Sequence, residues 1–314
     1  MNNILELQGK ITPNQKLRTS RCCTDVDMPA TLIHGSKPGK TVLITAGIHG
    51  CEYCSIQAAI ELADELQPAD ICGTLLIIHI ANPSGFSKRL PEVVAEDRKN
   101  LNRVFPGKED GSQAERIAWH ITEVQRTADF YIDMHGGDLH ESMHPFVYIP
   151  GVAEPHITQA ARDAAKALSV DIRVLSRATS GAYNSAAILG IPSMLVERGG
   201  NGTVSKAEVD AYKRDIRSVL AHLGTLPESY LISAAERANQ VELANVVYLE
   251  SAHGGCWHPC VEPGQCVSPQ QPLGEIRSSF GEVVHRYAAE QPGTVLYMTA
   301  SLAVEKGTPL VAYG

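Results

Sequence analysis

Histidine and glutamate residues stand at three places where an apolar strand pattern ends. His49 and Glu52 follow the first of these patterns. His135 follows the second, and Glu197 closes the third. Two imidazoles and one carboxylate form the ligand set of a catalytic zinc site that keeps a fourth position open, and a nearby glutamate can carry protons. The residue types therefore predict one Zn²⁺ per chain on the first three residues, with Glu197 as catalytic acid/base.

Each of these residues also has a purely structural interpretation. His49 and Glu52 could be satisfied polar residues of a turn, and Glu197 could cap a helix or pair with Arg198. Glycines accompany all three strand ends, however, and glycine lets the backbone approach closely. The joint occurrence favours the functional interpretation. Ligand type favours zinc but leaves other divalent ions open.

Strand and helix patterns alternate between about residues 40 and 222. This alternation predicts a mostly parallel or mixed sheet flanked by helices, the α/β class. Ligands of such sheets bind at the carboxyl ends of the strands, where the candidate residues lie. Ser112 with Glu115 has the spacing of a capping box, and Ser205 with Glu208 repeats it. Apolar runs predict strands at 42–46, 74–80, 130–134, 171–175 and 192–197, with helices predicted at 52–66, from 112, at 154–168 and at 205–222.

The pattern changes after about residue 241, where helical periodicity is lost. Short β-rich runs alternate there with Gly and Pro turns, which predicts a small all-β domain. We therefore expect a hydrolase domain over residues 1–230 and a β-barrel-sandwich-like domain over residues 231–314.

Composition excludes several kinds of partner. The formal net charge is -8 and no dense Lys/Arg run occurs, so no nucleic-acid partner is expected. No apolar segment approaches the roughly 20 residues that span a bilayer, so no membrane is expected. The N-terminal residues lack a signal-peptide pattern, and the eight cysteines are expected to be reduced thiols. We predict a cytoplasmic enzyme, with a homo-oligomer left open.

A substrate carboxylate needs a partner, and arginine holds one best through its planar, bidentate fork. Asn102 and Arg103, between the strands predicted at 74–80 and 130–134, are candidates for this clamp. The alternative is a surface arginine in a turn closed by Pro106 and Gly107. The clamp predicts a small, carboxylate-bearing substrate. Asp138 and Glu141 could instead select a positively charged group.

Taken together, these motifs resemble the succinylglutamate desuccinylase/aspartoacylase family, a branch of the zinc carboxypeptidase fold. They cover most of the first domain, in the order that the family uses. The matching segments are Gly47-x-His49-Gly50-x-Glu52, Asn82-Pro83, Asn100-Leu101-Asn102-Arg103-Val104-Phe105-Pro106-Gly107, Asp133-x-His135-Gly136-Gly137 and Glu197-x-Gly199-Gly200.

The resemblance implies a zinc-dependent deacylase of small N-acyl amino acids, with the metal ligands and base already named. It implies that Asn102 and Arg103 bind the substrate carboxylate. It also implies an upstream arginine that stabilises the oxyanion; Arg89 fits this role best and Arg98 is its rival. Asp133 is expected either to orient a ligating imidazole or to cap a turn.

The C-terminal region resembles the family's appended barrel-sandwich domain, which is similar to biotinyl and lipoyl carriers. Carriers hold a modified lysine at a hairpin tip, but residues 277–281 contain none. We therefore expect no attached cofactor, and a domain that shapes the mouth of the active site or contributes to assembly.

Two other functions remain open. A metallocarboxypeptidase would share the ligands and cleave blocked dipeptides, and a non-catalytic binding protein would share the fold but purify without metal. Two further cysteine patterns are better explained by packing than by redox or metal chemistry. They are Cys51-x-x-Cys54 and the group His253, Cys256, His258, Cys260 and Cys266.

Overall fold

The computed structural model describes residues 4–20, 26–237 and 239–314. In this part of the chain the first 243 residues contain the strands of a large mixed sheet, which all but β6 join. The strands are β1 (Gln15–Thr19), β2 (Ala30–His34), β3 (Lys37–Ala46), β4 (Cys72–Ile78), β5 (Phe130–His135), β6 (Glu141–Met143), β7 (Phe146–Pro150), β8 (Ile172–Ser176), β9 (Ser193–Glu197) and β10 (Val241–Leu243).

Parallel pairing dominates the centre of this sheet. The strand order is β1-β2-β4-β3-β5-β9-β7-β8-β10, and the neighbours β4, β3, β5 and β9 all run parallel. β1 and β2 add antiparallel strands at one side, and β7 runs antiparallel to β9. No strand was predicted from the sequence at β1, β2, β6, β7 or β10. Strands that are buried on both faces are apolar nearly throughout, which made the four central strands recognisable; β8 was the fifth strand predicted.

Helices cover both faces of the large sheet. α2, α5 and α7 pack on one face and α1, α4 and α6 on the other. The capping box at Ser112 and Glu115 is present, and the Ser205 hydroxyl accepts a hydrogen bond from the backbone N–H of Glu208. The helices are α1 (Ile4–Gln8), α2 (Tyr53–Glu65), α3 (Pro83–Lys88), α4 (Gln113–Gln125), α5 (Pro155–Ala165), α6 (Ala182–Ile188) and α7 (Lys206–His222), with 3₁₀ turns at Pro68–Asp70, Leu101–Arg103 and Glu228–Tyr230.

The C-terminal strands form antiparallel sheets, as the turn spacing predicted. One sheet has the order β11-β18-β16-β13 and the other β15-β14-β12-β17. Trp257, Leu273 and Ile276 belong to the apolar core of this region. The strands are β11 (Val247–Glu250), β12 (Gly255–Pro259), β13 (Cys266–Val267), β14 (Pro272–Arg277), β15 (Val283–Ala288), β16 (Gly293–Thr299), β17 (Ala303–Val304) and β18 (Pro309–Tyr313).

The two regions share structure across the predicted boundary. β6 leaves the first region to pair with β16, and β10 enters the large sheet beside β8. Phe146 and Ile172 pack against Leu296 and Ala312 in one apolar cluster. The fold class is confirmed, and a domain boundary near residue 230 stays a prediction. None of the helices in the described ranges combines the length and apolarity that crossing a bilayer requires.

Candidate metal and active site

A tight turn between β3 and α2 positions the first two candidate ligands. Gly47 has φ +70°, a conformation that L side chains rarely adopt. A Cβ atom on Gly50 would lie 2.3 Å from the backbone nitrogen of Phe86, so only glycine fits there. The chain therefore reverses within a few residues of the strand end. This places His49 and Glu52, the N-cap residue of α2, above the edge of the sheet.

The other two candidate residues end neighbouring parallel strands. His135 is the last residue of β5 and Glu197 the last residue of β9, and their Cα atoms are register partners. β3 pairs with the other side of β5, so its carboxyl end lies at the same edge. Parallel pairing thus brings together residues that are up to 148 positions apart in sequence (197 − 49).

His49, Glu52 and His135 converge in an arrangement that could hold a metal ion. Nδ1 of His49 lies 2.7 Å from Oε1 of Glu52, and Nδ1 of His135 lies 3.0 Å from Oε2 of the same carboxylate. One ligand atom from each residue falls within 4.8 Å of the others. Oε2 of Glu52 is buried and has no aligned hydrogen-bond donor. The donor set therefore fits a divalent cation of the zinc type.

The far side of each imidazole faces an oxygen atom. Nε2 of His49 lies 3.2 Å from Oδ1 of Asn100, and Nε2 of His135 lies 3.2 Å from Oδ2 of Asp133. The second contact is a close charge pair rather than an aligned hydrogen bond. Such oxygen partners favour a proton on Nε2 and leave Nδ1 as the atom that faces Glu52.

The charges around His135 favour a cation. Burial alone would lower the pKa of His135, but the carboxylates of Glu52 and Asp133 outweigh burial and raise this pKa well above its usual range. Burial likewise opposes ionisation of Glu52, yet His135 and His49 lower its pKa. The pocket thus stabilises positive charge between these side chains, which a metal ion would supply in place of a proton.

The surroundings of Glu197 would suit an acid/base group. Its Oε2 atom is buried and lacks a hydrogen-bond partner, and the residue lines the same cavity as the three candidate ligands. Burial raises the pKa of Glu197 well above its usual range, and the carboxylates of Glu52 and Glu141 add to the rise. A carboxyl group in such surroundings can hold a proton near neutral pH.

The two residues of the predicted carboxylate clamp, Asn102 and Arg103, have different surroundings. Oδ1 of Asn102 accepts a hydrogen bond of 2.9 Å from the backbone N–H of Ala182, which ties the loop to the start of α6. Arg103 is exposed and lines the cavity. Both residues reach the cavity, but the structure gives Asn102 a structural contact that the sequence did not predict.

The two arginines considered for the oxyanion are absent from the cavity lining. Arg89 ends α3 in a left-handed conformation with φ 54°, and Arg98 has φ 59° in the following loop. Both are exposed, and neither belongs to the residues that line the cavity. The second cation of the cavity is instead Arg177, which directly follows β8. The signal that could have identified it is the one used for the ligands, a charged residue at the carboxyl end of a strand.

The cavity has a volume of about 650 Å³, enough for a small molecule, and both regions of the chain line it. Tyr148 of β7 and Tyr248 of β11 both line it, and their hydroxyl oxygens are 3.2 Å apart. Tyr297 of β16 also contributes. The sequence could not indicate these tyrosines, because their meeting depends on how the C-terminal sheet packs on β7.

Acidic side chains form one wall of the cavity: Glu92, Asp138 and Glu141. Oδ1 of Asp138 accepts a 2.6 Å hydrogen bond from the backbone N–H of His140. Burial raises the pKa of Glu141 to about 8, and the charges of Asp138 and Glu52 add to the rise. Within the described residues, neither Asp138 nor Glu141 forms a salt bridge. This wall therefore holds unpaired acidic groups.

The six described cysteines are free: Cys51, Cys54, Cys72, Cys256, Cys260 and Cys266. Cys22 and Cys23 lie outside the described residues. Cys54 is buried, and its thiol donates to the backbone oxygen of Thr203, 3.3 Å away. A Cβ atom on Gly199 would meet its sulfur at 2.7 Å. These contacts agree with the packing interpretation of Cys54.

Fold and site together define an α/β protein with a candidate metal centre at the carboxyl edge of its sheet. The catalytic-domain profile of the succinylglutamate desuccinylase/aspartoacylase family matches residues 38–223. The chain belongs to this family. The match spans β3 to α7 and so includes every candidate ligand and Glu197.

Relatives cover nearly the whole chain. An N-alpha-acetyl-L-2,4-diaminobutyric acid deacetylase of Halomonas elongata is 28% identical over 292 residues, which are 90% of this chain and 84% of that protein. The product-bound ectoine utilization protein EutE (DoeB) of Ruegeria pomeroyi superimposes with a TM-score of 0.84 at 24% identity, covering 97% of each chain. A succinylglutamate desuccinylase/aspartoacylase of Rhodobacter sphaeroides gives 0.83 at 23% identity over 96% of each. The two solved structures support the fold.

Proposed function

We propose that this chain is a zinc-dependent deacylase that hydrolyses the amide bond of small N-acyl amino acids. The observation that carries the proposal is the meeting of His49, Glu52 and His135 with Glu197, whose Oε2 atom is buried, at one edge of one cavity. Family membership supports it, and so does the deacetylase named in Halomonas elongata. One Zn²⁺ per chain is part of the proposal.

The metal would be held by Nδ1 of both histidines and by the carboxylate of Glu52. Zinc at such a site supplies Lewis acidity, which polarises a carbonyl and makes water more acidic. Asn100 and Asp133 keep the two imidazole rings turned toward Glu52. The protein thus fixes the ligand geometry through contacts behind the ligands as well as through the ligands themselves.

Glu197 would move the proton. Its Oε2 atom takes a proton from the attacking water and returns it to the departing amine nitrogen. Burial favours the protonated acid, whereas the positive charge of the loaded site favours the carboxylate. Oε2 can therefore exchange a proton in both directions near neutral pH.

The carboxylate of the substrate would lie toward Arg103 and Arg177, the two arginines of the cavity. A guanidinium group binds a carboxylate through two parallel hydrogen bonds. Asn102 stays a predicted member of this clamp, beside Arg103. The oxyanion role of Arg89 stays a prediction that rests on the resemblance alone, since its side chain lies outside the cavity lining.

The acidic wall favours an amine half that carries a second, positively charged group. Neither Asp138 nor Glu141 forms a salt bridge within the described residues, and a bound ammonium group would relieve the repulsion between them. The Halomonas elongata relative is named for such a substrate, an acetylated 2,4-diaminobutyric acid. N-acetyl-L-2,4-diaminobutyrate is therefore the first substrate to assay.

The test is a panel of three acetylated amino acids that differ in side-chain charge. N-acetyl-L-2,4-diaminobutyrate is cationic, N-acetyl-L-norvaline is its neutral counterpart of similar shape, and N-acetyl-L-aspartate is anionic. We expect turnover, with the highest kcat/KM for the cationic substrate. The Glu141→Gln variant should raise KM for that substrate about tenfold, the effect of losing one charged partner, and leave norvaline turnover near that of the parent.

The outcomes separate the parts of the proposal. Equal kcat/KM for the cationic and neutral substrates would contradict the role of the acidic wall and leave the deacylase intact. Cleavage of blocked dipeptides without cleavage of any acetylated amino acid would favour a metallocarboxypeptidase. No turnover and no bound metal would favour a non-catalytic binding protein. A cytoplasmic location stays a prediction beside the activity, and a homo-oligomer stays open.

A further inference from the structure

Tyr212 connects the strand that ends in the candidate ligand His135 to the strand that ends in the candidate base Glu197. It belongs to α7 and is fully buried. Its hydroxyl donates to the backbone oxygens of both His135 and Val196, and the contact to Val196 measures 2.7 Å. These carbonyl groups belong to adjacent strands. That of His135 is part of the candidate ligand itself, and that of Val196 immediately precedes Glu197.

The hydroxyl acts where the strand pairing ends. β5 and β9 are paired up to His135 and Glu197, after which both chains turn through glycines. A Cβ atom on Gly136 would lie 2.1 Å from the backbone oxygen of Arg198, so the turns pass very close to each other. Beyond this point one backbone hydrogen bond of 3.2 Å, from Gly137 N–H to the oxygen of Gly199, still joins the two turns. The hydroxyl of Tyr212 adds a side-chain link between the two strands just before they turn.

The same helix also holds the residue on the other side of Glu197. The buried guanidinium of Arg198 donates to Asp215 at 2.9 Å and to Glu208 at 3.1 Å. Asp215 belongs to α7, as Glu208 does. α7 therefore fixes the backbone before Glu197 and the side chain after it. No other helix in the described residues forms hydrogen bonds to residues on both sides of Glu197.

We propose that Tyr212 is a positioning residue, whose hydroxyl holds His135 and Glu197 at the separation that the reaction requires. It touches neither substrate nor metal and acts through the two backbones. Burial raises the pKa of the Tyr212 hydroxyl well above its usual range, so the group stays a donor throughout the working pH range. A displacement of about 1 Å at a reacting group can cost on the order of 100-fold in rate. The kinetic part of this inference rests on the proposed function.

The test compares Tyr212→Phe with Tyr313→Phe. Tyr313 is equally buried, and its hydroxyl accepts a 2.8 Å hydrogen bond from the backbone N–H of Glu290, in the C-terminal region. Both variants lose one buried hydroxyl and should lose similar Tm. Only Tyr212→Phe should also lower kcat about tenfold with KM nearly unchanged, and weaken zinc affinity about tenfold, as measured by competition with a chelator.

The two readouts keep this inference distinct from the proposed function. If the parent binds zinc but hydrolyses none of the panel, the proposed function fails and zinc affinity alone decides the role of Tyr212. If Tyr212→Phe keeps the kcat and zinc affinity of Tyr313→Phe while its Tm falls equally, the hydroxyl is merely structural and the inference is overturned. It is also overturned if the parent shows neither zinc nor turnover. A Tyr212→Phe variant that fails to fold, where Tyr313→Phe folds, would overturn it as well.

Discussion

Two regions of this chain are rich in residues that bind metals, but they place them differently. At the carboxyl edge of the large sheet, His49, Glu52 and His135 lie within ligand distance of one another. In the C-terminal sheets, no three such residues converge within the described residues. The residues of that second group are His253, Cys256, His258, Cys260 and Cys266.

Strand geometry explains the difference. Parallel neighbours end at the same edge, so residues from β5 and β9 meet with the turn that follows β3. On β12, Cys256 and His258 stand on the face opposite the buried Trp257. Cys260 and Cys266 are exposed. A metal site needs buried donor atoms that converge on one point. A segment with many potential ligands does not meet this condition by their number alone.

The largest expected effect is the loss of turnover in Glu197→Gln. Amide and carboxylate have the same shape, but the amide cannot accept the proton, so kcat should fall about 100- to 10,000-fold while bound zinc stays at the parent level. Steady-state kinetics and metal analysis of the same sample check this. Glu123→Gln, on the remote helix α4, is the control and should match the parent. Turnover near the parent rate in Glu197→Gln would remove this residue from the mechanism.

Asp133→Asn tests whether the negative charge beside the candidate ligand His135 contributes to metal binding. The side chain is fully buried, and Oδ1 accepts a 2.7 Å hydrogen bond from the Thr45 hydroxyl. The amide can keep that bond but removes the negative charge beside Nε2 of His135. Zinc affinity should weaken about 10- to 100-fold. Asp129→Asn, at the exposed start of β5, should leave it unchanged, and equal affinities in both variants would contradict the account.

His79 sharpens the comparison because it also follows a parallel strand, β4. Its Nε2 atom lies 3.0 Å from the Thr31 hydroxyl, away from the candidate site. Burial lowers the pKa of His79 to about 4, and the charge of Arg18 adds to this. A histidine at a strand end thus becomes a candidate ligand only where carboxylates surround it.

The pKa of His79 predicts a pH dependence of stability. Between about pH 6.5 and 4 the unfolded chain binds a proton here that the folded chain does not. The free energy of unfolding is therefore fully retained above pH 6.5 and falls by up to roughly 3 kcal/mol as the pH drops toward 4. Urea unfolding at several pH values should show a shallower loss for His79→Gln. The same slope in both proteins would contradict it.

The smallest effect is expected in the C-terminal group. Because Cys256 and His258 do not converge with a third ligand, Cys256→Ser and His258→Ala should change neither metal content nor kcat. Mass spectrometry of the intact protein under native conditions checks the metal content. A loss of zinc from either variant would show that this region binds metal.

Much of the site could be predicted because it depends on strand ends. Apolar runs marked β3, β5 and β9, and the residues that follow them are those that the structure brings together. Arg177 follows the same rule: the strand before it was predicted, but the residue was overlooked because it lies one position beyond the end of β8 and no glycine-flanked motif marks it. The tyrosines of the cavity and the hydroxyl of Tyr212 depend on how distant elements pack. Local patterns carry no information about such contacts.

The most direct test of the central claim is metal content by mass spectrometry, on protein purified without added metal and beside the His135→Ala variant. The account predicts about one zinc ion per chain in the parent and almost none in the variant, since two remaining ligands bind zinc weakly. Equal zinc in both proteins, or no zinc in the parent even after zinc is added, would contradict it.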